Sequence, residues 1–425
     1  MKSLTKFSTA KWLLLVSLVL FIFISCQKET TVLKQQEDNA PVAGVNNNAN
    51  TKKIKAINVI NISQLYDAIN DPANAGSLLV LTPGTYILNA SYPNAGRLEL
   101  QFNMQLQGQP GNSDKVVIDA SALPGTSFVP PNNFPAARTG AIRMGRGYNI
   151  IEWLTVKGNA TAQALSAIET DLIWQGVSRV RIAHVKVTGA RIGIDIRNAG
   201  IASAGRILEA NLEENELVEN LVQQGQGLEI QNANGASGAT ISADLHGNYI
   251  HGNKIGLRSF TNNANGANTN NGVITIQSHG DRFEENGIGV YLNAALSQAA
   301  PTTGANNNSL SFEAHGTKIV NNRGTLPPPP EQTPACGMYA VGGLSIPGGS
   351  TSNNKLSVKL GGCRFSDNNG ADIIAFGAFS YSAIPAGTHN TTEIYLQGVS
   401  KKALVMATPS SPTEPAGTNI VNIIR

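Results

Sequence analysis

The sequence predicts an all-β solenoid, built by stacking similar coils rather than by enclosing one compact core. Three observations predict it. An eight-residue segment recurs at 152–159, 183–190, 213–220, 246–253, 279–286, 315–322 and 361–368. Its fifth position is always apolar: Val156, Val187, Leu217, Ile250, Phe283, Ile319 and Phe365. Its eighth position is Asn in every copy but one, at Asn159, Asn220, Asn253, Asn286, Asn322 and Asn368. Self-similarity at a fixed period is the signature of a repeat architecture.

Each feature has a physical reading. Stacked coils place the fifth residues in one inward column. An Asn at the same bend of every coil hydrogen-bonds its amide to the coils above and below, satisfying groups that would otherwise be buried unpaired. Asn also tolerates the left-handed backbone of a tight bend, which predicts αL geometry at the eighth position. The composition agrees: 43 Gly and 45 Asn among 425 residues, with only 14% charged.

A second strand follows each Asn bend and alternates as strands do. It is read at Gly193–Arg197, Gly227–Gln231, Gly256–Phe260 and Gly287–Tyr291, with Ala141–Met144 and Ala167–Thr170 in the same slot. The copies lie farther apart than a minimal coil needs, so loops protrude. The stretches 261–271 and 297–308 and the run Pro327–Pro330 are the clearest insertions.

The N-terminus reads as a targeting segment. Lys2, Lys6 and Lys11 precede the apolar run Trp12–Ile24, of signal-peptide length and short for a membrane span. The run ends in Phe23-Ile24-Ser25-Cys26, which resembles the lipobox of bacterial lipoproteins, where the Cys is lipidated. The residues after it, Gln27-Lys28-Glu29, resemble the surface-export signal of lipoproteins in Bacteroidetes-type bacteria. The expected organisation is a lipoprotein signal peptide at 1–26, a flexible tether at 27–53 and one repeat domain at 54–425. The expected location is the outer membrane or cell surface, with Cys26 as the lipid anchor.

Charge excludes one class. Of 31 Lys and Arg, three lie before Cys26, where there is no acid, leaving 28 basic against 28 acidic residues. A chain of zero net charge is not a general nucleic-acid binder, which needs a basic surplus on one face. Beyond Cys26 only Cys336 and Cys363 remain, and the sequence leaves open whether they pair.

From about residue 57 onward the sequence resembles the right-handed parallel β-helix, or pectin-lyase-like, superfamily. The opening Ile62–Ile69 followed by Leu78–Tyr86 resembles that family's capping helix and first strand, with Ser63 as N-cap and Leu65, Ala68 and Ile69 as the apolar face. A leucine-rich-repeat-like solenoid fits less well, since the repeat has no regular Leu consensus and no helical period.

Residues alternating with the inward Ile and Leu of the second strand point outward. Consecutive coils then align Glu169, Asp195, Glu229 and Arg258, with Asp171, Arg197 and Gln231 in a neighbouring column. Stacked carboxylates about 4.8 Å apart repel unless a cation compensates. Ca²⁺ held by Glu169, Asp195 and Glu229 would do so, as would Arg197 and Arg258 by pairing. The resemblance implies that this strand carries the active-site sheet of pectin-degrading relatives. A lyase acting on uronates neutralises the sugar carboxylate, removes the proton at C5 and assists the leaving oxygen. In that scheme Arg197 or Arg258 is the base and the acidic column holds the metal. The competing reading is a salt-bridged outer sheet surface.

Two further columns are candidates. Lys186, Arg282, Lys318 and Arg364, interrupted by Glu216 and Tyr249, would bind an anionic glycan. His246, His279 and His315 would stack as metal ligands or, more simply, as a turn preference. The paired carboxylates of the superfamily's inverting hydrolases are absent: the equivalent positions are Arg191-Ile192, Gln226 and Lys254-Ile255, and the chain has no Asp-Asp pair. The Lys and Arg motif of alginate-lyase-type relatives is not matched either. The expected function is a surface lipoprotein that binds or cleaves an acidic polysaccharide. The alternatives are a non-enzymatic adhesin and a structural scaffold.

Overall fold

A computed structural model describes residues 54–124, 140–159, 166–170, 176–221, 225–263, 267–297, 304–323, 335–345, 350–380, 387–399, 403–410 and 419–425. Cys26, the tether, Asp171 and Pro327–Pro330 lie outside the described residues.

The described chain winds as the parallel β-helix expected from the repeats. Three long sheets run along it, of twelve, ten and nine strands, each ordered by sequence, so that each complete coil contributes one strand to each and the end coils contribute fewer. One coil shows the path. Gln226–Ala233 lies in the ten-stranded sheet, Thr240–His246 in the twelve-stranded sheet and Tyr249–His251 in the nine-stranded sheet. The chain then returns to the ten-stranded sheet at Ile255–Asn262, where Gln226 pairs in parallel with Ile255. Part of the stretch read as an insertion at 297–308 adds a short parallel pair, Gly304–Asn306 with Ser350–Ser352.

The core is the column structure the sequence implied. Six of the seven fifth-position residues are fully buried, and Phe365 is 5% exposed. Ile194, Ile196, Leu228 and Ile230 meet them from the ten-stranded sheet, and Val180, Ile182, Ile274 and Ile276 from the twelve-stranded one.

The Asn ladder is continuous. The Asn220 backbone N–H donates to Asn253 Oδ1 at 3.0 Å, Asn253 to Asn286 at 3.0 Å, Asn286 to Asn322 at 3.0 Å and Asn322 to Asn368 at 3.1 Å. The left-handed residue is not the ladder Asn, as expected, but the residue before it. Glu219, Gly252, Glu285, Asn321 and Asp367 have φ between 53° and 63°. A left-handed residue turns the chain, and the Asn that follows aims its side chain into the stack.

The same device closes the other two bends, which the sequence reading missed. Glu214 and Gly247 are left-handed and precede Asn215 and Asn248, which continue through Asp281. Asn307, Asn353 and His389 are left-handed and precede the ladder Asn308–Asn354–Asn390, which ends on Asn419.

The capping helix is Ile62–Asn70, burying Leu65, Tyr66, Ala68 and Ile69. Its N-cap is Asn61, whose side chain accepts from the Gln64 N–H at 3.0 Å, and not Ser63. Asn61 alone has the extended backbone a cap requires, while Ser63 already lies within the helix. A strand the sequence reading did not identify, Ala56–Val59, precedes the helix and pairs with Leu78–Leu81.

Candidate functional site

The ten-stranded sheet aligns the predicted carboxylates rung by rung. Glu169 pairs in register with Asp195, Asp195 with Glu229 and Glu229 with Arg258. Arg197 stands beside Gln231 in the neighbouring column, as read from the sequence. The structure extends the first column at both ends: Glu99 and Arg143 precede Glu169, and Tyr291 and Tyr339 follow Arg258. The strand read as starting at Gly287 is shifted by two residues, since Gly289, not Gly287, occupies the slot of Gly256. That shift is what puts Tyr291 next to Arg258.

Alternation predicts which side of the sheet a residue faces but not what lies beyond it. These outward residues are buried: Glu169 and Asp195 are 0% exposed, Glu229 4%, Arg258 6% and Arg143 2%. Burying charge is costly unless each one is paired, and here the arginines do the pairing. Arg197 Nη2 lies 2.5 Å from Glu169 Oε1, and its Nε lies 3.3 Å from Asp195 Oδ2. Arg258 Nη1 lies 3.6 Å from Glu229 Oε2. Arg143 and Arg146 both reach Glu99, at 3.1 and 3.2 Å. The Gln231 amide donates to both Glu229, at 2.5 Å, and Asp195, at 3.3 Å.

The electrostatics single out Asp195. Burial pushes its carboxyl up to about 8. Arg197 opposes the rise, while the carboxylates of Glu229 and Glu169 add to it. The Arg197 guanidinium is itself pushed up, because Glu169 and Asp195 outweigh its burial. It holds its proton harder than a free arginine, which suits charge compensation and not proton abstraction. Among the described residues no group of three His, Cys, Asp or Glu is arranged to hold a metal. The cationic partner that the three stacked carboxylates require is already supplied by Arg197 and Arg258.

Past Arg258 the outward face changes character. Phe260, Ile288, Tyr291, Leu296, Tyr339, Val341 and Leu344 form a second buried apolar cluster outside the solenoid core. Tyr291 and Tyr339 stack at 5.2 Å, and Arg258 lies over Phe260 at 4.4 Å, so the arginine joins the charged and aromatic halves. The wrong register at Gly287 hid this half from the sequence reading. Cys336 belongs to it, while Cys363 ends the Asn215–Asp281 column by donating to the Ala314 carbonyl; neither is disulfide-bonded.

The basic column is in register on the nine-stranded sheet: Lys186, Glu216, Tyr249, Arg282, Lys318 and Arg364. Its first half is internally paired. Lys186 meets Glu216 at 3.1 Å, and Arg282 lies over Tyr249 at 4.5 Å and meets Glu284. Lys318 and Arg364 are exposed. His246, His279 and His315 are also in register, with centroids 6.5 and 5.6 Å apart, and His315 pairs with Glu313 at 3.0 Å.

No protein-family model and no curated protein matches the sequence. Among solved structures it is similar to the A-module of an Azotobacter vinelandii mannuronan C-5 epimerase. The identity is 15%, the TM-score 0.37, and the match covers 85% of this chain and 92% of that one. It is similar to the catalytic unit of a Streptomyces thermodiastaticus α-1,3-glucanase at 12% identity and a TM-score of 0.34, covering 86% of this chain and 64% of that one. A third similarity is to PfbA, a Streptococcus pneumoniae surface adhesin, at 11% identity and a TM-score of 0.30, covering 84% and 88%. These are distant likenesses, all at TM-scores below 0.4.

Proposed function

We propose that this chain is a polysaccharide-facing β-helix that binds an acidic polymer at the charged half of the ten-stranded sheet, with Asp195 as its proton-transferring group. The observation that carries the reading is the stacking in register of Glu169, Asp195 and Glu229, with Arg197 Nε 3.3 Å from Asp195 Oδ2, where burial pushes the Asp195 carboxyl up to about 8. A group whose pKa lies near neutrality both accepts and releases a proton under working conditions. Strongly perturbed groups with specific charge partners concentrate at functional sites. Arg258 and Arg197, which neutralise the column in the free protein, would exchange part of that pairing for a uronate carboxylate on binding. The reaction this arrangement suits is removal of the proton next to that carboxylate, with elimination of the neighbouring glycosidic oxygen.

The test is incubation of the protein with polygalacturonate and alginate, with Ca²⁺ and with chelator, following the ultraviolet absorbance of unsaturated products. Absorbance should rise with the wild type, in a pH profile governed by a group near 8, and vanish in Asp195→Asn and Arg258→Ala. If only the Ca²⁺ arm is active, the reaction needs the metal in addition to the two arginines. A second reading, a non-enzymatic glycan-binding adhesin or scaffold, is favoured by the burial and arginine pairing of the column. Absence of cleavage with retained binding on a glycan array selects it, and silence in both assays removes the polysaccharide reading. We also propose export as a lipoprotein anchored through Cys26. Labelled fatty acid should be incorporated by the wild type and not by Cys26→Ala.

A further inference from the structure

The bend between the twelve- and nine-stranded sheets has a left-handed residue on successive rungs. On later rungs it is glycine: Gly247, Gly280, Gly316, Gly362 and Gly398, with φ of 61° to 68°. On three consecutive earlier rungs it is Trp153, His184 and Glu214, with φ of 59°, 54° and 49°. Left-handed Glu and His recur at the other bends of this solenoid, so the bulky exception is Trp153, whose indole the bend presents outward beside His184. The same three residues line one pocket of about 320 Å³, together with Asp114, Lys186 and Glu216.

The pocket is built from a flat wall and a polar rim. Trp153 and His184 stack at 3.8 Å with their planes 15° apart, which fixes the indole as a platform. His184 is held by Glu214 at 3.3 Å and Lys186 by Glu216 at 3.1 Å. Asp114 accepts from the Thr155 hydroxyl at 3.4 Å. We infer that this pocket binds an uncharged pyranose ring of a saccharide, stacked on Trp153 and held at its hydroxyls by Asp114, Glu216 and Lys186.

The chemistry fits each part. The electron-rich face of an indole attracts the C–H face of a sugar ring. Carboxylates accept from neighbouring hydroxyls, and an ammonium donates to their oxygens. Three carboxylates against one lysine repel a uronate, so the selectivity runs opposite to that of the arginine-bearing column. The volume lies at the lower end of the range of small-ligand pockets, about 300–1,000 Å³. The site is on another bend of the solenoid and is independent of the reading of Asp195.

Calorimetric titration with cello-, manno-, xylo- and chito-oligosaccharides tests the inference, with oligogalacturonate as the charged comparator. At least one uncharged series should bind and change the tryptophan emission. Trp153→Gly should fold, because glycine holds this position on five other rungs, and should weaken binding at least about tenfold. Glu216→Gln should weaken it too, and decides the matter if the glycine variant does not fold. Absence of binding by every uncharged series, binding by oligogalacturonate alone, or wild-type affinity in Trp153→Gly and Glu216→Gln overturns the inference.

Discussion

Asp195 shows how far one residue can be read. The sequence placed it in an outward column with Glu169 and Glu229, and the register confirms that neighbourhood. Its burial was not legible, because alternation along a strand reports parity alone. Yet burial is the main cause that pushes its carboxyl up to about 8. The sign of the consequence follows from linkage. A carboxyl raised above its ordinary value of 3.8 keeps its proton in the native state after the unfolded chain has lost it. Its contribution to stability is therefore present below about pH 4 and is lost progressively as pH rises towards 8. Asp195→Asn has no proton to lose. Urea midpoints measured across this window should move in favour of the variant as pH rises. A constant gap between the two proteins would show that Asp195 titrates normally.

At the scale of the bend, the ladder was legible and its mechanics were not. Six Asn at one repeat position announced a stack of amides, because few other residues serve that role at every coil. The left-handed position one residue earlier is filled by Glu, Gly, Asn or Asp, so no single residue type marks it. The Asn215–Asn248–Asp281 column was missed for a similar reason: it begins with Leu154 and Val185 and ends with Thr317 and Cys363, and the polar stretch is diluted. Glycines on the adjoining rungs complete the device. A Cβ on Gly256 would lie 2.5 Å from the Gly289 carbonyl and 2.9 Å from the Asn286 amide nitrogen, so the coil can approach the ladder only without a side chain. Asn286 donates to the Ile250 carbonyl at 3.0 Å and accepts from the Asn253 N–H at 3.0 Å. Asn286→Leu keeps the volume, strands the Asn253 N–H and removes a side-chain bond from the Ile250 carbonyl, which still has its strand partner. At about 1–3 kcal/mol for a buried group left unmade, the cost should be about 1–3 kcal/mol in chemical denaturation. A loss below 1 kcal/mol, on the order of a surface substitution, would mean that the ladder is ornamental to stability.

Across the whole molecule, contacts run between neighbouring coils, so stability is nearly a sum of coils and the interfaces between them. This explains how one face of a single sheet can be charged over its first rungs and aromatic over its later ones without either half disturbing the other. It also makes the end of the stack a special place. An uncovered first coil would expose unpaired strand edges and an open apolar section. The helix Ile62–Asn70 covers that section, packing on Ala56–Val59 and Leu98–Glu99, with Leu65 fully buried and the Tyr66 hydroxyl donating to the Gly96 carbonyl at 2.6 Å. Leu65→Ala opens a cavity in the cap at a local cost of about 2–5 kcal/mol. In a compact single-core protein that loss would lower protection everywhere. Here it should fray the first coils selectively. Hydrogen exchange should accelerate in Leu78–Leu81 and Gln105–Gln107, while Thr240–His246 and Val273–His279, several coils away, keep wild-type protection. Uniform acceleration through all these strands would show that the coils unfold as one unit and that the nearest-neighbour account of this solenoid is wrong.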